Sequence, residues 1–248
     1  MLATSGVAEV KRSDMVKLVI SGIAGRMGKR LAFLASKDKE FEITGGIESA
    51  DNPAVGQDGV ESDFAKIASA CDVLIEFTFP DATMKHLEVA RKNKVGMVIG
   101  TTALSKEEIS QIKKASKDIP IVFSPNMSIG ANLLFKLTET AAKALDKSYK
   151  IEIIEAHHAK KKDAPSGTAK RLGEAVSKVR GETPPIKSIR EGEIVGDHSV
   201  MFTGQNEKIE LKHSAFSRDV FAQGALDAAK FITAKKSGLY TMYDVIAT

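Results

Sequence analysis

The chain has 248 residues, 43% hydrophobic and 27% charged, the range of an ordinary globular protein with room for one large or two medium cores. A formal charge of +4 suits acidic small molecules, whereas no Trp, three Tyr and 6% aromatics leave little to stack on bases, which argues against a nucleic-acid partner. The single cysteine, Cys71, excludes an internal disulfide, and no apolar run reaches the length of a membrane span, so a cytoplasmic protein with no membrane partner is expected.

Residues 1–14 lack a clear period and read as a flexible N-terminal extension, either a tag or a real tail, with Met15 a possible natural start. Val16 to Ile20 is a short apolar strand that runs directly into Gly22-Ile23-Ala24-Gly25-Arg26-Met27-Gly28. Strand, glycine turn and helix in that order form the βα unit of a dinucleotide fold. Glycines at 22, 25 and 28 let the backbone turn tightly and approach a pyrophosphate, although position 24 is Ala where the general fingerprint has Gly. Met27, Leu31 and Leu34 share the helix face that packs on the sheet. A second strand, Phe41 to Ile47, ends at Glu48, an acid about 20 residues beyond the glycines, where ribose hydroxyls are held. Behind it, Ser49-Ala50-Asp51-Asn52 offers no Arg or Lys to a 2′-phosphate. NADH is therefore expected to be preferred, with NADPH accepted less well and helped by Arg26.

Asp51 to Glu61, rich in Gly, Pro and Asn, reads as a loop. Val73 to Thr78 is the third strand, followed by a helix begun at Phe79-Pro80-Asp81 that carries Thr83, Leu87, Ala90 and Arg91 at helical spacing. Val95 to Ile99 is the fourth strand and ends in Gly100-Thr101-Thr102. Ser105 and Glu108 form a capping box for a helix to about Lys117. Ile119 to Phe123 is another strand, and the polar turn Ser124-Pro125-Asn126-Met127-Ser128-Ile129-Gly130 after it marks a crossover between domains. A long helix over Ala131 to Leu145 should bury Leu133, Leu134, Leu137 and Ala141.

Ile151, Ile153 and Ile154 then make a strand that delivers Glu155-Ala156-His157-His158-Ala159-Lys160-Lys161-Lys162-Asp163-Ala164-Pro165-Ser166-Gly167-Thr168-Ala169. Pro165 fixes the backbone, and Ser166 or Thr168 can cap a helix with Leu172, Ala175, Val176 and Val179 on one face. The unpaired amides of that helix, with His157, His158 and Lys161 close by, make an anion site. No metal is expected, because adjacent His side chains diverge on a strand and Glu155 and Asp163 lack a ligand spacing. Past Thr183-Pro184-Pro185, the segments Ile186 to Arg190, Glu193 to Phe202 and Lys208 to Ala215 read as strands without helices between them. Asp219 to Lys235 returns to helix, with Phe221, Ala225, Ala228, Ala229 and Ile232 on one side. The expected class is α/β: a Rossmann-like parallel-sheet cofactor domain plus an α+β substrate and oligomerisation domain.

His157, His158, Lys161 and Asp163 to Ala169 resemble, in register, the signature of the 4-hydroxy-tetrahydrodipicolinate reductase (dihydrodipicolinate reductase) family. The GRMG string at 25–28, Gly100-Thr101-Thr102 and Gly196-Asp197-His198 extend the resemblance over nearly the whole chain. It implies NAD(P)H-dependent reduction of the cyclic imine dicarboxylate derived from 4-hydroxy-tetrahydrodipicolinate to tetrahydrodipicolinate, in diaminopimelate and lysine synthesis. Cofactor contacts would then come from Gly22, Ile23, Ala24, Gly25, Arg26, Met27, Glu48, Phe77, Gly100, Thr101, Thr102, Ser124, Pro125, Asn126 and Met127. His157 and Lys161 would transfer protons, the latter pressed by Lys160 and Lys162. His158, Ser166, Gly167 and Thr168 would hold a substrate carboxylate. The same resemblance implies a homotetramer and a discontinuous dinucleotide-binding domain, 15–129 with 217–248, around a substrate and oligomerisation domain at 130–216. Two alternatives stay open: another Rossmann amino-acid or keto-acid dehydrogenase, which would lack the HHxxKxDAPSGTA run, and a non-catalytic NAD-binding regulator.

Overall fold

The computed structural model describes residues 15–247, so the expected extension at 1–14 lies outside the described residues. The chain forms two compact units. The first runs to Pro125 and resumes over Ala225–Thr241; the second takes Asn126–Gly224 and continues from Met242.

In the first unit, β1 (Val16–Ser21), α1 (Arg26–Ala35), β2 (Phe41–Ile47) and the two-residue β3 (Val60–Glu61) are followed by β4 (Val73–Glu76), α2 (Pro80–Asn93), β5 (Gly96–Ile99), α3 (Lys106–Ala115) and β6 (Pro120–Phe123). With the late strand β11 (Gly238–Tyr240) they build a parallel seven-stranded sheet in the order β11-β6-β5-β4-β1-β2-β3. Its central strands are apolar without interruption because helices cover both faces of a parallel sheet. Leu18, Val19 and Ile20 of β1 and Leu74 and Ile75 of β4 are fully buried. Val19 and Leu74 pack in one cluster with Leu87 and Ala90 from α2 and Ile112 and Ala115 from α3. Full burial of each large aliphatic side chain there contributes about 1.5–3 kcal/mol. The capping box forms as read, with the Ser105 hydroxyl accepting the Glu108 N–H and the Glu108 carboxylate accepting the Ser105 N–H. β3 lies within the stretch expected to be loop, and β11 was not foreseen. Runs of two and three residues are too short to show a period.

The second unit contains α4 (Ile129–Ala144), β7 (Lys150–His157), α5 (Gly167–Arg180), β8 (Ile186–Arg190), β9 (Gly196–Thr203), β10 (Lys208–Ala215) and the short α7 (Met242–Ile246). Its sheet has the order β10-β9-β7-β8, with β7 and β8 parallel across the α5 crossover and the other pairs antiparallel. Leu134, Phe135, Ile153, Leu172, Val200 and Phe202 form the core. The expected stripe on α4 is corrected: Leu133 and Leu137 are 41% and 43% exposed, and the buried face is Ala131, Leu134, Phe135, Thr138 and Ala142. Four leucines and alanines fit two overlapping faces, and the aromatic Phe135 carries the larger apolar area inward.

Helix α6 (Asp219–Thr233) buries Ala222, Ala225, Leu226, Ala228, Ala229 and Ile232. The division between units falls inside it at Gly224, not at 216/217, and Met242 onward joins the second unit. A Cβ on Gly224 would stand 1.9 Å from the Met127 carbonyl oxygen, so the first turns of this helix pack where only glycine fits.

Candidate active site

In the first unit the carboxyl ends of β1, β2 and β4 open onto a cleft of about 860 Å³, the edge at which parallel α/β sheets bind ligands. Gly22, Ala24, Gly25, Arg26, Met27, Glu48 and Phe77 line it, as expected for residues meeting a dinucleotide. Gly22 has φ +74°, and a Cβ on Gly28 would lie 2.0 Å from the Gly22 carbonyl oxygen, so the turn closes only without side chains. The first turn of α1 has neither a side-chain cap nor an acid, which leaves its amides and positive dipole end to an anion. The Glu48 carboxylate accepts the Ala24 N–H at 2.7 Å and the Asn52 side-chain amide at 3.2 Å, tying the end of β2 to the glycine turn. A bare backbone turn, an uncapped helix start and a fixed acid on one cleft fit a pyrophosphate and a ribose diol. Gly28→Ala is expected to abolish NADH binding, measured by calorimetry, because the turn cannot close around a methyl group; wild-type affinity would contradict this.

The other first-unit candidates lie outside the lining of that cleft. Ile23 packs on Gly46, where a Cβ would come within 2.6 Å of Ile23 Cγ2. Gly100 backs onto the Phe77 ring, and buried Thr101 accepts the Thr83 hydroxyl at 2.8 Å. Thr102 and Pro125 are exposed, and Ser124 is buried with its N–H on the Ile99 carbonyl at 3.2 Å. Sequence reading missed Thr78, Phe79 and His86 on the lining, and buried Glu76 behind them. Buried Glu76 accepts the His86 Nδ1–H at 2.6 Å and the Thr78 hydroxyl, and Phe79, 78% exposed, stands on the lining. Glu76 ends a strand otherwise apolar, which was the available signal.

In the second unit β7 alternates, so that Ile153, Glu155 and His157 all face inward. The Glu155 side chain is 0% exposed. Its Oε2 accepts His157 Nδ1–H at 2.5 Å and Arg190 Nη1–H at 2.9 Å; its Oε1 accepts Arg190 Nη2–H at 2.7 Å and the Ser166 N–H at 3.2 Å. Burial pushes the carboxyl up, but Arg190, Ser188, His157 and the Ser166 amide outweigh it and hold Glu155 at about 2. Burial lowers His157 below the usual imidazole range, against the pull of Glu155 and with the help of Lys161 and Arg190. Burial, then the charge of His157, takes His198 down to about 4. The His157 and His198 rings meet edge to face with centroids 5.1 Å apart.

After β7 the chain turns, with Lys161 N–H on the His158 carbonyl at 3.0 Å. Lys161 Nζ pairs with Asp163 at 2.7 Å, and that ammonium lowers the Asp163 carboxyl below its usual range. The ion pair of Lys161 is thus with Asp163, beside the pressure expected from Lys160 and Lys162. The peptide before Pro165 is cis, and Ser166 caps α5 by accepting the Ala169 N–H at 3.2 Å. Ser166 is buried and also pairs its hydroxyl with His198 Nε2 at 3.1 Å, so the residue expected at the substrate serves as the helix cap as well. Exposed Gly167 and half-buried Thr168 open the helix, whose first turn carries no acid.

Asn126 and Met127, expected at the cofactor, belong to this second unit. The Asn126 amide donates to Thr168 Oγ1 at 3.1 Å, and Met127 is buried. Glu155 could have been found from strand parity with His157, but nothing local in the sequence marks Arg190. It arrives through the β7–β8 register, which sets it opposite His157. Among the described residues no group of three or more His, Cys, Asp or Glu is placed to hold a metal ion.

A parallel sheet with a glycine turn and an acid at its ribose position, followed by a second unit with histidines and a lysine at a helix start, defines a Rossmann-type nicotinamide-dependent reductase of a small anionic substrate. The dihydrodipicolinate reductase N-terminus family matches residues 16–127 and its C-terminus family matches residues 130–246. The chain belongs to the dihydrodipicolinate reductase family. It is 42% identical to a 4-hydroxy-tetrahydrodipicolinate reductase of Nitrosomonas eutropha, over 94% of this chain and 98% of that protein. It is 44% identical to the Aquifex aeolicus enzyme of the same name, over 93% and 98%. The dipicolinate-bound dihydrodipicolinate reductase of Paenisporosarcina sp. TG-14 superposes with a TM-score of 0.81 at 25% identity, covering 92% of this chain and 97% of that one.

Proposed function

We propose that the chain reduces the cyclic imine dicarboxylate derived from 4-hydroxy-tetrahydrodipicolinate to tetrahydrodipicolinate with NAD(P)H, as a cytoplasmic enzyme of diaminopimelate and lysine synthesis. The observation that carries this reading is the second-unit cluster, where His157, His158, Lys161 and the open amides of α5 supply proton donors and an anion site within one short stretch. A bound reduced nicotinamide supplies hydride to ring carbon four. The new C–H bond displaces a π pair into the conjugated C=C–C=N system, and a proton must neutralise it. Lys161 and His157 provide and exchange that proton. His158 and the Gly167 and Thr168 amides, with the Thr168 hydroxyl, hold a substrate carboxylate at the positive end of α5.

Cofactor choice rests on the first unit. Glu48 receives the adenosine ribose diol and repels a 2′-phosphate, while Ser49 to Asn52 offer it no cation. NADH is therefore expected to give the higher kcat/KM, with Arg26 letting NADPH serve. Steady-state kinetics with both cofactors tests this, and a clear NADPH preference would refute it. The reading extends to a homotetramer assembled through the strand-rich unit, whose sheet has edges at β10 and β8 that cover would protect. Light scattering should give four times the 26.6 kDa chain mass, and a monomer would exclude it.

A further inference from the structure

The carboxylate of Glu155 is the most heavily used polar group of the second unit, and no part of the proposed reaction assigns it a role. It sits fully buried on β7 and accepts from the His157 ring, both terminal nitrogens of Arg190, the Ser166 N–H and the Ser188 side chain. Arg190 also donates to the carbonyls of Ile189 and Asp163, each at 2.6 Å. One ion pair thus touches three things: the ring that exchanges a proton, the backbone of the loop that carries Lys161, and the capping residue that opens the carboxylate-binding helix.

An ionised carboxylate only accepts, so the hydrogen on the His157–Glu155 contact belongs to His157 Nδ1. The opposite nitrogen, Nε2, has no hydrogen-bond partner among the described residues. Its neighbour Gly196 has no side chain, and a Cβ added there would crowd Nε2 at 3.1 Å. His198 fixes the ring plane from its edge. We propose that Glu155 and Arg190 are positioning residues which, granted the proposed reductase reaction, hold His157 as its Nδ1–H tautomer and present Nε2 as the atom that exchanges the proton with substrate. The charged and titratable groups facing His157 are Glu155 on its own strand, Lys161 on the loop after it, Arg190 on β8 and His198 on β9. Glu155 is the only anion among them.

The tautomer is read in the wild-type protein by NMR of the imidazole nitrogens at neutral pH. A protonated Nδ1 and bare Nε2 on His157 are expected, and a protonated Nε2 would overturn the assignment. This outcome does not depend on turnover, so an enzyme inactive on the imine would defeat the proposed reaction while leaving the tautomer to be decided separately. Glu155→Gln replaces one acceptor by a donor facing donors. It is expected to lower kcat on the order of tenfold with a smaller change in KM, because the ring is misplaced while the helix amides remain. The limb of the kcat pH profile that reports His157 should move to lower pH, since the anion that favours the imidazolium is gone. Glu155→Asp should restore part of that limb, and Arg190→Lys should lose rate with little pH movement. Circular dichroism and a cooperative denaturant transition check that each variant is folded, the second unit included. A folded Glu155→Gln enzyme with wild-type kcat and an unmoved pH profile, or with its whole loss in KM, would overturn the proposal.

Discussion

Lys161→Ala is expected to lower kcat by roughly 100-fold or more, the general acid–base range, with KM changed by about a few-fold at most. Burial lowers His157 below the usual imidazole range despite the opposing pull of Glu155, so at neutral pH its neutral form is favoured. The Lys161 side chain is partly shielded and paired with Asp163, and it is the proposed proton donor. Lys161→Arg separates charge from proton transfer: a guanidinium keeps the positive charge but does not release its proton, so substrate affinity should survive while kcat stays low. His157→Ala should cost a similar factor, with the loss in kcat. Near-normal turnover in Lys161→Ala would remove the lysine from the chemistry.

Arg190→Ala is expected to destabilise the second unit by about 3–5 kcal/mol, the cost of leaving a buried charge without its partner. Glu155 then keeps only the His157 ring, the Ser166 amide and Ser188 as donors. Denaturant midpoints measure the loss, and a change below about 1 kcal/mol would say that water reaches the carboxylate. The same group makes the fold acid-sensitive. Glu155 sits at about 2 when folded, below its ordinary 4.5, so its stabilisation is present above pH 4.5 and disappears as pH falls towards 2. His198 acts in the same direction at higher pH: folded near 4 and ordinarily 6.5, it makes the unfolded state bind the extra proton, and stability falls as pH drops from 6.5 to 4. Two acid steps are expected in stability against pH, and only the lower one should vanish with Glu155→Gln.

The first unit was legible because its signals are local. A buried parallel strand writes itself as an apolar run, a glycine turn as spacing, and a capping box as two residues three apart, so β1, β2, α3 and the Glu48 position could be read directly. The second unit was legible only where a motif spelled it out. His157, His158, Lys161 and Thr168 came from one continuous run, whereas Arg190 is brought to the site by strand pairing across a helix, a relation no local pattern encodes. Ser166 shows the converse: its place in the motif was visible, and its capping role could be read, but its pairing with His198 is specified only by the packed structure. On α4, leucines at helical spacing suggested the wrong face because Phe135 and Thr138 lie between them and go inward.

The most direct measurement is oxidation of NADH in the presence of 4-hydroxy-tetrahydrodipicolinate by the wild-type chain and by a His157→Ala/Lys161→Ala double variant that still binds NADH. One NADH consumed for each ring reduced by the wild type, and almost none by the double variant, is the expected result. A wild-type chain that leaves NADH untouched, or a double variant that oxidises it at the wild-type rate, would contradict it.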